Sequence, residues 1–187
     1  MYSAIQQIFY TYECGDREKR LMVNIKPEVG RAESDERTVL EELELVRSLL
    51  IKAESEGPKE AAKLLKQAYD IMANAERVEK EISIISGRIL NLLKDRANML
   101  SEEDKLLLET SQNVEKRIVR DLMGSLRTIL KNTELAAYAA SKLKDRKFAY
   151  SQDDRSRLSS IINKIGSLTN VVKGLYVLEE RLKKQLP

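Results

Sequence analysis

"KLLKQAYDIMANAERVEKEISIISGRILNLL" (Lys63–Leu93) decides the fold. Leu64, Ala68, Ile71, Ala75, Val78, Ile82, Ile85, Ile89 and Leu92 follow one another at alternating steps of four and three residues. That spacing places all nine on one seam of period 3.5, the pattern of helices packed as in a coiled coil. Small Ala68 and Ala75 allow a neighbouring helix to come close. Arg77, Glu79 and Lys80 fall beside the seam, free for water or flanking ion pairs. A seam this long needs another helix over it, from the same chain or from a partner. Core packing explains it better than a cofactor box.

Working outward, "EGPKE" places Gly57 at the end of one helix and Pro58 in the first turn of the next. The helix before it runs from Ser34 or Asp35 to Glu56, on Leu40, Leu43, Val46, Leu50 and Ile51. A first helix spans Tyr2 to Glu13, with Ile5, Ile8, Phe9 and Tyr12 to one side. "CGDREKR" breaks it, and "LMVNIKPEVG" reads as extended or loop around Pro27. After the seam, "ANMLSEEDKLLLE" (Ala97–Glu109) starts a further helix. Ser101 is its cap, Asp104 stands at the capping-box position, and the first turn is acidic. Val114, Ile118, Leu122, Leu126 and Ile129 carry that helix to about Leu143, with Gly124 weakening it. Past the basic "KLKDRKFAY", Ser151 or Asp153 caps a last helix on Leu158, Ile161, Ile165, Leu168, Val172, Leu175, Leu178 and Leu182. The expected fold is an all-α bundle of about five mostly long helices. Residues 1–145 form the helical domain and 146–187 a C-terminal helical segment.

Composition agrees. The 187 residues include 34% charged and 5% aromatic side chains, seven glycines and three prolines, a balance suited to long helices. The length suffices for a core that needs no metal or disulfide, and the lone Cys14 can form no internal disulfide. No apolar run approaches a membrane span and no secretory signal opens the chain, so a cytoplasmic protein with no membrane role is expected. Charge is uneven: residues 111–187 hold 16 Lys or Arg against 8 Asp or Glu, whereas residues 1–110 hold 17 against 22. An acidic first part and a basic last part suit head-to-tail self-association or a nucleic-acid face, and equally plain solvated helix surfaces.

Catalytic chemistry finds little support. Histidine is missing, and with it the usual general base and commonest metal ligand. Cys14 has no histidine to activate it. "GDREKR" and "GRILN" lack the glycines and the lysine–serine ending of a phosphate loop, and the acids form no E-x-x-E pair on obviously facing helices. No catalytic residue, metal site or cofactor is expected. The positive clue is basic: Lys116, Arg117, Arg120 and Arg127 lie along the fourth helix, and Lys142, Lys144, Arg146 and Lys147 lie at its end and in the linker. Phe148 and Tyr150, interleaved there, could stack on bases or, more simply, anchor the linker to the core.

"RVEKEISIISGRILNLLKDRANMLSEEDKLLLE" (Arg77–Glu109) resembles the central helical region of archaeal GINS subunits. Arg88, Ile89 and Leu90 stand at that family's basic–apolar position. Asn98, Met99, Leu100, Glu102 and Glu103 stand at its loop and next helix start. "IQQIFYTYECGDREKRLMVNI" is similar to the first helix and connection of the subunit type whose helical domain comes first, so the resemblance covers residues 4–125. Two features depart: "KPEVG" replaces the family's Asp-Phe-Tyr turn, and residues 151–186 read as helix where a small β-rich domain belongs. The resemblance implies a divergent, non-enzymatic scaffold of the replication fork, joining the MCM helicase and a RecJ-like protein within a tetramer. The rival readings are a generic helical coiled-coil protein with some nucleic-acid affinity and, less favoured, a helical enzyme holding metal on carboxylates.

Overall fold

The computed structural model describes residues 4–142 and 150–187, with only the backbone described for 4–14, Glu18, Glu115 and Lys116. Five α-helices account for the architecture: α1 (Ala4–Ala53), α2 (Pro58–Leu93), α3 (Glu102–Val114), α4 (Arg120–Lys142) and α5 (Gln152–Gln185). A π-helical segment, Glu115–Val119, joins α3 to α4. The expected all-α bundle is what forms.

Helix α1 departs most from expectation. Instead of a break at "CGDREKR" and an extended stretch around Pro27, it is one helix of 50 residues, about 75 Å long at 1.5 Å per residue. The reason lies in its buried face. Met22, Ile25, Val29, Ala32, Glu36, Val39, Leu43, Val46, Leu50 and Ala53 are all buried, and they alternate in steps of three and four straight through the proline. Pro27 removes one helical N–H, the donor to Val23, and Val23 faces solvent. Burial along ten positions outweighs one lost bond.

Helix α2 runs antiparallel to α1. Glu42 accepts from Asn74 at 2.6 Å, and further along Glu28 pairs with Arg88. Gly57 is the N-cap of α2 at φ −67°, not the end of the preceding helix. Of the nine seam residues, Leu64, Ala68, Ala75, Ile82 and Ile89 are buried. Ile71, Val78, Ile85 and Leu92 are half-buried and packed against the core edge. The fully enclosed line is turned slightly, through Leu65, Met72, Glu79, Ser86 and Leu93, because α2 touches α1 on one side and α3 and α4 on the other. Helices of the same chain therefore cover the seam.

Helix α5 returns along α1, as Arg37–Tyr176 (2.9 Å), Glu33–Lys183 (2.6 Å) and Lys26 to the Leu186 carbonyl (3.2 Å) show. Ser151 caps it, accepting from the amide of Asp154 at 3.1 Å. At α3 the cap is reciprocal: Ser101 Oγ accepts from the Asp104 amide (3.1 Å) and Asp104 Oδ2 from the Ser101 amide (2.8 Å). The core falls into two clusters. One is built on Val39, Leu43, Leu65, Met72, Leu126 and Ile165, the other on Met22, Ile25, Val29, Ile89, Leu108, Leu175 and Leu182. Residues of α5 belong to both, so the C-terminal segment shares its core with residues 1–145. Each fully buried Leu or Ile contributes roughly 1.5–3 kcal/mol.

Candidate functional site: a buried glutamate layer

Within this core three enclosed positions are acidic. Glu36 on α1, Glu79 on α2 and Glu179 on α5 are each 0% exposed. The flanking pairs set their level. Asn74–Glu42 and Arg88–Glu28 bracket Glu79 opposite Glu36, and Arg37–Tyr176 and Lys183–Glu33 bracket Glu179 opposite Glu36. Each glutamate occupies a core position of its helix's three–four alternation, where a Leu or Ile would otherwise stand. Among the described residues, buried side-chain oxygens without a hydrogen-bond partner are both of Glu36, both of Glu79, both of Glu179 and one of Glu42.

Such groups cannot all be ionised. Burial pushes the Glu79 carboxyl up to about 7. Burial, then the charges of Glu79, Glu33 and Asp35, push Glu179 up to about 9. Glu36 is raised well above the usual carboxylate range, first by burial and then by Glu179, Glu79 and Asp35. At the rim, Asp35 is raised by burial and by Glu81, against the pull of Arg31. Removing a carboxylate from water disfavours its charged form, and neighbouring acids add to the effect.

The helical run from α3 to α4 is irregular nearby. The π segment Glu115–Val119 packs against α2, and Val119 is buried. Just before it, the Ser111 carbonyl accepts from Ser83 Oγ at 3.1 Å, and Ser111 Oγ meets Ser86 Oγ at 3.0 Å in the interior. π-Segments widen a helix locally and recur at functional sites. Among the described residues no group of three or more His, Cys, Asp or Glu is arranged to hold a metal ion.

Sequence reasoning placed Glu79 beside the seam, free for water; the structure buries it. The sequence repeat runs through Val78 and Leu178, one residue from Glu79 and Glu179, so it gave no signal for their burial; a charged type is rarely enclosed without a partner.

The basic residues are less gathered. Arg127 donates to the Tyr69 hydroxyl at 2.6 Å and lies over that ring, while Lys142 lies over Tyr138. Arg117 and Arg120 face solvent. Lys144, Arg146, Lys147 and Phe148, and the Lys116 side chain, lie outside the described residues. Tyr150 anchors rather than stacks, its hydroxyl donating to the Ala53 carbonyl at 2.9 Å. A groove lined by Leu21, Asn24, Ile25, Glu28, Arg88, Asn91 and Leu92 opens where α1 passes the end of α2. No described helix is long and apolar enough to cross a membrane. No protein-family model, characterised protein or solved structure matches this chain.

Proposed function

We propose that this protein is a non-enzymatic helical scaffold that joins proteins through the surfaces of its long helices. One observation carries the reading. Helix α1 begins at Ala4, yet its first buried side chain among the described residues is Met22. Between positions 15 and 21 no described residue is buried, so an exposed stretch of about seven residues, roughly 10 Å, leads into the core at Met22. Leu21 and Val23, at the base of that extension, are about half exposed beside the groove of Leu21, Ile25 and Leu92. Such a stretch, with Leu21 and Val23 open beside the groove, is a surface that a partner helix can bury.

The resemblance of Arg77–Glu109 to GINS supports a specific form of this scaffold, one that bridges the MCM helicase and a RecJ-like protein. The capped boundary at Ser101 accords with that family's helix–loop–helix. Light scattering on the full chain and on a chain lacking residues 1–20 tests the general reading. The full chain is expected to self-associate or to capture a protein partner, and the shortened chain to do neither while keeping its helicity. Equal behaviour of the two would remove the general reading. Capture of MCM by the full chain tests the specific one.

A further inference from the structure

We propose that the outer ridge of α4 is a contact surface for single-stranded nucleic acid: Arg117, Arg120, Arg127, Lys131 and Lys142 meet phosphates, and Tyr138 stacks on a base. The contact is independent of the scaffold reading.

The ridge is a continuous line of exposed positions. From Arg117, steps of three and four residues lead through Arg120, Gly124, Arg127, Lys131, Leu135 and Tyr138 to Lys142, and each of them is exposed. The line rises about 37 Å along the helix. Five of its positions are cationic and none is acidic. The opposite side of the same helix is the buried stripe Leu122, Leu126, Ile129 and Thr133, so packing of that stripe turns the cations outward. Asp121 and Glu134, the exposed acids of α4, fall beside the line rather than on it.

Charge on the ridge is not consumed within the bundle. Lys66, Lys80 and Arg88 of α2 each pair with an acid. Arg117 and Lys131 have no ion-pair partner among the described residues. Arg127 is held by the Tyr69 hydroxyl, which is neutral. Helix α5 lies alongside, where Asn132 donates to Asp154 at 3.0 Å and Arg157 shares that carboxylate. Seven residues beyond Arg157, Lys164 is exposed and extends the basic surface onto α5. A line of cations this long, with no acid in it, complements a chain that carries one negative charge per nucleotide.

Tyr138 selects the class of polyanion. It is 66% exposed, and its hydroxyl has no hydrogen-bond partner among the described residues. The other described tyrosines with a hydroxyl contact are engaged by the bundle: Tyr69 by Arg127, Tyr176 by Arg37 and Tyr150 by the Ala53 carbonyl. Lys142 Nζ stands 5.6 Å from the centre of the Tyr138 ring, and Leu135, one turn earlier, is also exposed. An aromatic surface beside cations takes an unpaired base while the cations take its phosphates. A duplex keeps its base faces closed within the stack.

Fluorescence anisotropy of a labelled 20-nucleotide oligothymidylate with the full chain, between 50 and 200 mM NaCl, tests this. Wild type is expected to bind, with affinity falling as salt rises. Arg117→Glu with Lys131→Glu should weaken binding roughly tenfold or more and flatten the logarithmic salt slope by about 1.4, roughly 0.7 for each lost contact to a single strand. Tyr138→Ala should weaken binding about fivefold or more without changing the slope, because the ring carries no charge, and Tyr138→Phe should restore it. Circular dichroism is expected to show wild-type helicity throughout; if the charge-reversed variant does not fold, Arg117→Gln with Lys131→Gln carries the same slope test. Absence of wild-type binding, full affinity in Tyr138→Ala, or an equal loss on reversing the exposed Arg47 and Lys52 of α1 would overturn the proposal. So would tighter binding of a duplex of the same length, or displacement of the strand by poly-glutamate at equal charge, since the ridge would then serve a duplex or an acidic protein.

Discussion

Arg181, near the end of α5, donates to Asp104 Oδ2 at 2.7 Å and to the Met99 carbonyl at 3.0 Å. Asp104 is also half of the capping box of α3, so one carboxylate ends a loop, starts a helix and ties that helix to another. Burial alone would raise this carboxyl, but hydrogen bonds from Arg181 and Ser101 outweigh it and hold it below 3.8. Its stabilisation is thus present above pH 3.8 and lost as pH falls through the lower folded value. Asp104→Asn is expected to cost about 1–2 kcal/mol in urea unfolding at pH 7. The difference from wild type should shrink as pH falls below 3.8, and a constant difference would show that the carboxylate's charge is not what matters.

Two glycines in α5 separate propensity from packing. A Cβ on Gly166 meets nothing within 4 Å, whereas on Gly174 it comes 3.1 Å from Leu107 Cδ2 of α3. Alanine in a helix is favoured over glycine by roughly 0.8–1 kcal/mol. Gly166→Ala should realise most of that gain, while Gly174→Ala should gain little or lose stability as Leu107 shifts. A raised Tm for the first alone is the expected result; equal gains would mean the α3–α5 contact yields freely.

Along α2, neighbouring residues of like chemistry should respond differently. Ile82 is fully buried and Ile84 is 60% exposed. Ile82→Ala should cost about 2–5 kcal/mol, and Ile84→Ala no more than about 0.5 kcal/mol. Chemical denaturation distinguishes them directly. Similar losses would place Ile84 in an interface between copies of the chain.

The basic linker has a separate test. Lys144, Arg146 and Lys147 changed together to Glu should weaken any DNA binding and flatten its dependence on salt. Binding and slope left unchanged would assign no nucleic-acid contact to these three residues.

What was legible in the sequence was local chemistry with a local consequence. Ser101 with Asp104, and Ser151 before Asp154, cap helices as their types and spacing indicate, since the bonds span only three residues. Continuity of α1 around Pro27 was hidden because proline disfavours helix locally, while the burial that overrides it comes from residues of α2 and α5 far along the chain. The glutamate layer was hidden for a related reason. Helix α2 carries two overlapping stripes that share Ala68, Ala75, Ile82 and Ile89. The more apolar one runs through Val78, but packing on two sides encloses the one through Glu79. Which stripe is enclosed depends on where the other helices sit.

A repeat of three and four residues has a weakness of its own: slid by seven, it matches itself again. Leucines and isoleucines along α1, α2 and α5 would tolerate such a slip. Glu36, Glu79 and Glu179 do not, because displacing any one helix by a heptad sets its carboxyl among aliphatic side chains and leaves the other two without their counterpart. The least comfortable level of the bundle thereby acts as its alignment mark, telling three otherwise interchangeable ladders which rungs belong together.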